Sequence, residues 1–393
     1  CIRDSIYQNN FKEAYEKYSE IFSLSVKAEK TISQLSVGEK QKIEIMKLIF
    51  NDSKIMLLDE PTAVLTPQET DQLRISLGTL SEEDEKTIVL ISHKLKEIRE
   101  FTEKVFVMKN GKMVAEELST KDVTDDNLSE LMMGNIQKSI IDKSNTAGDT
   151  KLSVKSLEYV DKVNNFKILD NINLEIKAGE IIGIAGVSGN GQVELANIIS
   201  GIEVDYSGKI LINNKDVSRR GVRSRKKLNL SYIPENRLGV GLAPGVSVLD
   251  NSIVRDYFKT RLGPHLSRSK TENYLESLIN KFSIKAPNSK AEISTLSGGN
   301  MQKLLMGREL ISNPEVIIAS QPTRGLDVNA VEAIHNLLVE QRDKGSAILM
   351  ISEDLDELFK LSNRIHVMFE GKIVKSFNID AVSYTHLTLP TME

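Results

Sequence analysis

Three short stretches of this chain carry residue types suited to handling the phosphates of a nucleotide. The first, Gly186-Val187-Ser188-Gly189-Asn190-Gly191-Gln192-Val193, follows the apolar run Glu180 to Ala185 and leads into a helical stretch. Glycines there let backbone N–H groups turn inward around phosphates, and the helix N-terminus adds a favourable dipole. The full pattern G-x-x-x-x-G-K-[ST] also needs a Lys for the β and γ phosphates and a hydroxyl for Mg2+. Gln192 and Val193 stand at those two positions. Losing the ammonium removes charge-assisted hydrogen bonds worth roughly 1.5–3 kcal/mol, and Val has no oxygen to offer a metal. Taken alone, the stretch fits a ligand-free strand-to-helix turn equally well.

The second stretch, Ile55 to Glu60, reads as a buried strand ending in two carboxylates. Asp59 suits holding Mg2+ through water, and Glu60 suits orienting an attacking water. Acid pairs at strand ends are common, but Pro61-Thr62 directly after this one, and His93 at the end of the next strand, narrow the reading. The third stretch is Leu296-Ser297-Gly298-Gly299-Asn300. A Ser and two glycines opening a helix present clustered N–H groups to a phosphate, and their small side chains permit close approach.

These stretches are repeated. Leu35-Ser36-Val37-Gly38-Glu39 returns as Leu296 to Asn300, an offset of 296 − 35 = 261, with Val37 for the first Gly and Glu39 for Asn300. Asp59-Glu60-Pro61-Thr62 returns at the same offset as Ser320-Gln321-Pro322-Thr323. Ile91-Ser92-His93 aligns with Ile351-Ser352-Glu353, and Gly111-Lys112 with Gly371-Lys372, at 353 − 93 = 260. One long period of this kind means a duplicated domain. Ser320, Gln321 and Glu353 thus replace Asp59, Glu60 and His93, and Gln can hold a water but cannot take its proton.

In each copy, short β-rich runs such as Lys54 to Asp59 and Thr87 to Ser92 alternate with helical stretches. That predicts α/β domains, each with a largely parallel sheet. Thr66 as N-cap, Pro67 at the first helical position and Glu69 in a capping box mark one helix start. Lys104 to Glu116 and Asn363 to Lys375 read as hairpins turning at Asn110-Gly111 and Glu370-Gly371. Phe11 to Leu24 reads as an amphipathic helix already in mid-domain, and with Cys1 in place of Met it suggests a truncated start. The expected organisation is the later part of a first domain over 1–138, a linker over 139–150, a second domain over 151–379 and an atypical tail over 380–393.

With 393 residues, 40% hydrophobic and 27% charged, the chain has the make-up of an ordinary folded protein with room for two domains. A formal net charge of −4 gives no pull toward nucleic acid, and the basic run Arg219 to Lys227 reads as a solvated helix face. One cysteine, Cys1, excludes a disulfide framework and a thiolate metal site and fits a reducing compartment. No apolar run approaches the ~20 residues of a membrane span.

Together these residues resemble the ATP-binding-cassette superfamily over most of the chain. The resemblance implies two tandem P-loop domains, each with a parallel core sheet, an antiparallel β part and a helical subdomain. It also implies cassettes facing head to tail around ATP and Mg2+. Asp59, Glu60 and His93 would then face Leu296 to Asn300 in a competent site. Gly186, Ser188, Gly189, Asn190, Gly191, Gln192, Val193, Glu235 and Gln321 would belong to a degenerate one facing Ser36 and Gly38. Its better parts fall on one composite site and its defects on the other, as in the fused double-cassette ATPases of monosaccharide importers. Asp59 to Glu69, Gly189 to Gln192, Ile233-Pro234-Glu235-Asn236-Arg237 at the Gln-loop position and Gln321 to Val328 resemble the nucleoside branch. A ribose- or galactose-type importer, a non-transport double-cassette protein and a non-catalytic nucleotide-binding piece are the alternatives.

Further expectations follow from the resemblance. A peripheral subunit on the cytoplasmic face would drive membrane permease subunits through the region Gly239 to Lys259 and serve a substrate-binding protein indirectly. The first cassette's phosphate loop would lie about 75 residues before Cys1 (186 − 261 = −75), so this stretch by itself is expected not to turn over ATP. The tail from Ala381 departs from both repeat and family and reads as a cloning or assembly scar.

Overall fold

The computed structural model describes residues 37–51, 53–62, 65, 67–82, 85–92, 94–109, 111–133, 148–161, 166–187, 189–262 and 265–379. The helix expected over Phe11 to Leu24, the cap at Thr66, most of the linker and the tail lie outside them. The chain divides into two compact units, Cys1–Lys138 and Ser139–Glu393.

In the first unit, α1 (Val37–Phe50) precedes β1 (Ile55–Asp59), α2 (Pro67–Glu82) and β2 (Thr87–Ile91). Strands β1 and β2 pair in parallel, Ile55 opposite Thr87 and Asp59 opposite Ile91. Proline at the first position of α2 fits because its missing N–H would have no helical partner there. Glu69, expected in a capping box, accepts from Lys42 Nζ at 2.9 Å. After α3 (Leu95–Phe101), β3 (Lys104–Lys109) and β4 (Lys112–Ser119) form the expected antiparallel hairpin, and α4 (Asp125–Met133) follows.

One expectation is corrected here. The Ile55–Asp59 strand is only half covered: Met56 and Leu58 are buried, whereas Ile55 and Leu57 are 66% and 69% exposed. Val89 and Ile91 on β2 share that open face. Their equivalents in the second unit are buried, which places the difference in what covers the face.

The second unit is built in layers. β5 (Thr150–Asp161) and β6 (Phe166–Lys177) lead to β7 (Ile181–Ala185) and α5 (Gln192–Ser200). β8 (Ser207–Ile212), β9 (Lys215–Asp216), α6 (Val222–Lys227) and β10 (Leu230–Ile233) follow. α7 (Val248–Ile253), a short hairpin of β11 (Arg261–Leu262) and β12 (His265–Leu266), α8 (Arg268–Phe282) and α9 (Gly298–Leu310) make a helical region. β13 (Val316–Ser320), α10 (Val328–Asp343), β14 (Ala347–Ile351), α11 (Leu355–Leu361), β15 (Arg364–Phe369) and β16 (Lys372–Asn378) close the unit.

The main sheet runs β10-β13-β14-β7-β15-β16, parallel throughout except for β16. β7, β13 and β14 are buried at every position, as a parallel sheet covered on both faces requires. Alternate residues feed two cores. Ile317, Ala319, Ile348 and Met350 pack toward the helical side. Val316, Ile318, Leu349 and Ile351 pack toward α5 and the antiparallel sheet β6-β5-β8-β9. The α/β reading with parallel core, antiparallel part and helical region therefore holds.

In the basic run 219–227, Arg219, Arg220, Arg223 and Lys227 are exposed as expected, and Arg225 is the correction. Arg225 on α6 is fully buried, with its guanidinium donating to the carbonyls of Ile198 and Ile199 at the end of α5 and to Tyr206. It satisfies carbonyls that the helix leaves open, and burial lowers its pKa below the ordinary guanidinium value.

Candidate functional site

The phosphate-loop stretch turns between β7 and α5 as its glycines suggest. Gly189 and Gly191 have φ of +90° and +98°, which L side chains rarely adopt. Asn190 is clamped from the β15–β16 hairpin: Glu370 N–H donates to its Oδ1 at 2.8 Å and Gly371 N–H to its carbonyl at 3.1 Å. Gln192, where a Lys would reach into the loop, instead folds back. Its Oε1 accepts from Asn190 N–H at 3.1 Å and its Nε2 donates to Val187 O at 2.9 Å. The side chain is 6% exposed, so it fills part of the space that the loop encloses. Ser188 lies outside the described residues.

Beside this loop is a cavity of about 400 Å³ lined by Val193, Asn197, Tyr232, Glu235, Ser320 and Arg324, among others. Arg324 Nη1 is paired with Glu235 Oε1. Tyr232 donates to Asn197 Oδ1 at 3.2 Å, and burial, helped by Glu235, pushes its pKa up to about 12. At the phosphate-loop and strand-end metal positions stand Val193, without an oxygen, and Ser320, without a charge; the carboxylate that lines the cavity among the described residues, Glu235, is engaged by Arg324. This donor set does not fit Mg2+, a hard cation that takes carboxylate and phosphate oxygens. In the first unit Asp59 does offer an exposed carboxylate at its strand end.

Both strand-end turns share one backbone. Glu60 and Gln321 have φ of 45° and 47°. Glu60 N–H donates to Ile91 O at 2.8 Å, and Gln321 N–H to Ile351 O at the same distance. The side chains therefore sit on equivalent scaffolds and differ in chemistry. Gln321 Oε1 accepts from Glu353 N–H at 3.3 Å, so those two expected site residues meet. His93 lies outside the described residues.

The Leu296–Asn300 stretch begins α9, with Ser297 as N-cap in extended backbone. Asn300 is used inside the unit: its Nδ2 donates to Ser297 Oγ at 2.8 Å, and its Oδ1 accepts from Lys285 N–H at 2.8 Å. This leaves the Ser297 hydroxyl proton free to point outward. Gly298 stands where a Cβ would approach Arg237 Nη1 at 3.1 Å. None of Leu296 to Asn300 lines the cavity. Gly38 is in the first turn of α1, and Ser36 precedes the described residues.

Sequence reasoning missed two groups of residues. Arg237 Nε donates to Gln302 Oε1 and its Nη2 to Arg324 O, both at 2.8 Å, while Gln302 Nε2 donates to Pro322 O at 2.7 Å. The start of α9 is thereby tied to the 233–237 segment and to the turn after β13. The other group is a buried glutamate in each copy. Glu357 accepts from Thr323 Oγ1 at 2.7 Å and Ser352 Oγ at 2.6 Å, with His335 Nε2 at 2.9 Å. Glu97 accepts from Thr62 Oγ1 and from Ser92 Oγ at 2.7 Å, and pairs with Lys94 at 3.0 Å. Each glutamate fastens the turn that carries the acid pair, or its replacement, to the end of the neighbouring strand. The repeat held the signal, since Glu97 and Glu357 share the 260-residue offset (357 − 97 = 260).

The chain matches the family model described as ABC transporter over residues 2–63 and 169–324. It is 37% identical over 365 residues to the nucleoside import ATP-binding protein NupA of Lactococcus lactis, covering 92% of this chain and 72% of that one. It is 37% identical to the guanosine import ATP-binding protein NupO of Bacillus subtilis, covering 92% and 71%. With the ribose import ATP-binding protein RbsA of Clostridium tetani it shares 35% over 389 residues, covering 94% and 75%. Among solved structures, a bacterial ABC transporter cassette solved as a dimer aligns with a TM-score of 0.51 and 25% identity over 58% of this chain and 98% of its own.

Proposed function

Because the chain belongs to the ABC transporter family of ATP-binding, ATP-hydrolysing cassettes, we propose that it powers the import of a nucleoside or simple sugar. The observation that carries the reading is the contrast between two equivalent turns. Asp59-Glu60 and Ser320-Gln321 share a backbone, and only the first pair has the carboxylates that hydrolysis needs. In this reading the first copy carries the acidic pair for the chemistry and the second carries the intact Leu-Ser-Gly-Gly stretch.

Phosphoryl transfer to water is chiefly a matter of positioning and charge stabilisation. Glu60, held in a sparsely populated backbone conformation, orients the attacking water and takes its proton. Asp59 would hold Mg2+ through water, and the bound ion would supply positive charge to the phosphates. His93 completes the set of candidate catalytic residues in the first copy. The Ser297 hydroxyl and the N–H groups opening α9 are suited to binding phosphate.

The partners are membrane permease subunits, and the protein works as a peripheral subunit on the cytoplasmic side. No helix among the described residues is long and apolar enough to cross a membrane. The segment 239–259 carries exposed Val240, Val254, Tyr257 and Phe258, between 43% and 61% accessible, which suits docking on such subunits. Nucleoside is favoured over ribose because the stretches Asp59 to Glu69 and Gln321 to Val328 resemble that branch.

The test is Glu60→Gln in the whole transporter, with ATP turnover and uptake of labelled guanosine and ribose measured in vesicles. Loss of turnover and uptake by about a hundredfold or more, with ATP still bound, is expected. Unchanged turnover would overturn the role of Glu60. Uptake of ribose alone would move the cargo to the sugar branch, and co-purification with ribosomes instead of membranes would end the importer reading.

A further inference from the structure

Nucleotide phosphates carry several negative charges, and an ABC cassette ordinarily meets them with a Lys and a divalent cation. The second cassette has Gln192 for the Lys, and Val193 and Ser320 at the metal positions. A ligand held there needs its charge balanced by something else. Of the described residues lining the adjoining cavity, only Arg324 is a cation.

We propose that the second cassette binds the triphosphate of ATP without a divalent cation, with the Arg324 guanidinium supplying the positive charge. This deepens the reading of the second cassette as nucleotide-binding and rests on it. The geometry favours Arg324 in three ways. It lines the same cavity as Val193 and Ser320, the two residues that forfeit the metal. It is held from both ends, its carbonyl accepting from Arg237 and its Nη1 pairing with Glu235. Its Nε and Nη2 donors make no hydrogen bond to the described residues, so a planar fork remains for phosphate oxygens. Gln192 fits the same picture. It already engages the Asn190 N–H of the cradle and must swing aside when phosphate enters.

The test is titration of a fluorescent ATP analogue into this chain, whose one phosphate-loop stretch is Gly186 to Val193, with Mg2+ or with excess EDTA. Affinity is expected to change less than about twofold on chelation. Arg324→Ala should weaken binding about tenfold or more in both conditions, and Arg324→Lys should restore part of it. Glu235→Gln, which removes the neighbouring negative charge, should tighten binding, and this opposite sign separates charge from unfolding. The double change Val193→Thr, Ser320→Asp should make binding depend on Mg2+. Tenfold weakening by EDTA in the unaltered chain, or an Arg324→Ala variant that binds as well, overturns the proposal while leaving nucleotide binding intact. Absence of binding in both conditions removes the underlying reading and the proposal with it.

Discussion

Removing the Glu357 carboxylate should be among the costliest single changes in the second unit. Glu357 is 4% exposed and accepts from two hydroxyls and one imidazole, at 2.6–2.9 Å. Glu357→Ala leaves all three donors in a pocket with no acceptor. Each hydrogen bond to a charged group is worth about 1.5–3 kcal/mol, but such bonds do not add fully. Deleting one member of a buried charged network costs about 3–5 kcal/mol overall. Glu357→Gln keeps one carbonyl oxygen, and the Thr323 and Ser352 hydroxyls can rotate to accept from its new N–H2, so a loss of about 1–2 kcal/mol is expected. Urea unfolding of the second unit, with a slope near 3 kcal/mol/M, should show the Ala midpoint falling by more than about 1 M and the Gln midpoint by less than half as much. A Glu357→Ala midpoint within about 0.3 M of the unaltered protein would refute the claim that this carboxylate fastens the β13 turn to β14.

Two further perturbations follow from the same packing. Burial, reinforced by Arg364, depresses His366 to about 4, while its Nδ1 lies 2.6 Å from Ser376 Oγ. With an ordinary value near 6.5, the unfolded chain binds more protons between pH 6.5 and 4, so stability present above pH 6.5 is lost as pH falls, by about 3 kcal/mol at most. Subtracting the acid-unfolding profile of His366→Gln from that of the unaltered chain should isolate that window; a flat difference would contradict it. Gly371 combines φ +74° with a position where a Cβ would meet the Ile168 carbonyl at 2.1 Å. Gly371→Ala should destabilise by about 2 kcal/mol or more and slacken the clamp on Asn190, read as faster amide exchange at that residue.

Much of the architecture was legible because it is local. Val316 to Ser320 and Ala347 to Ile351 announce themselves by unbroken apolar runs, Pro67 by its missing N–H, and the hairpins by the residues at their turns. The repeat located equivalent residues across 260 positions without any structure. What escaped were the destinations of long side chains. Nothing in Arg219 to Lys227 distinguishes Arg225 from its solvated neighbours, because its partners include the end of α5 and Tyr206 just before β8, which meet it only after folding. The pairing of Glu235 with Arg324 joins residues 89 apart. That Gln192 could not do the work of Lys was readable from its chemistry, yet its turn back into the loop depends on where the Val187 carbonyl and Asn190 N–H come to rest. The half-covered state of β1 was misread because an apolar run records what a strand can bury, not what is there to bury it.

That open face has a practical side. Ile55, Leu57, Val89 and Ile91 form a row of apolar side chains on a sheet that has two strands among the described residues, and each is 44–69% exposed. Such a surface acts as an adhesive. Preparations of this chain should scatter more light as they are concentrated, bind hydrophobic dyes while natively folded and clump in sulfate salts, which strengthen apolar association. Polar replacements at Leu57 and Val89 would make the material easier to keep in solution and, by lying outside the buried row of Met56 and Leu58, would leave the fold alone.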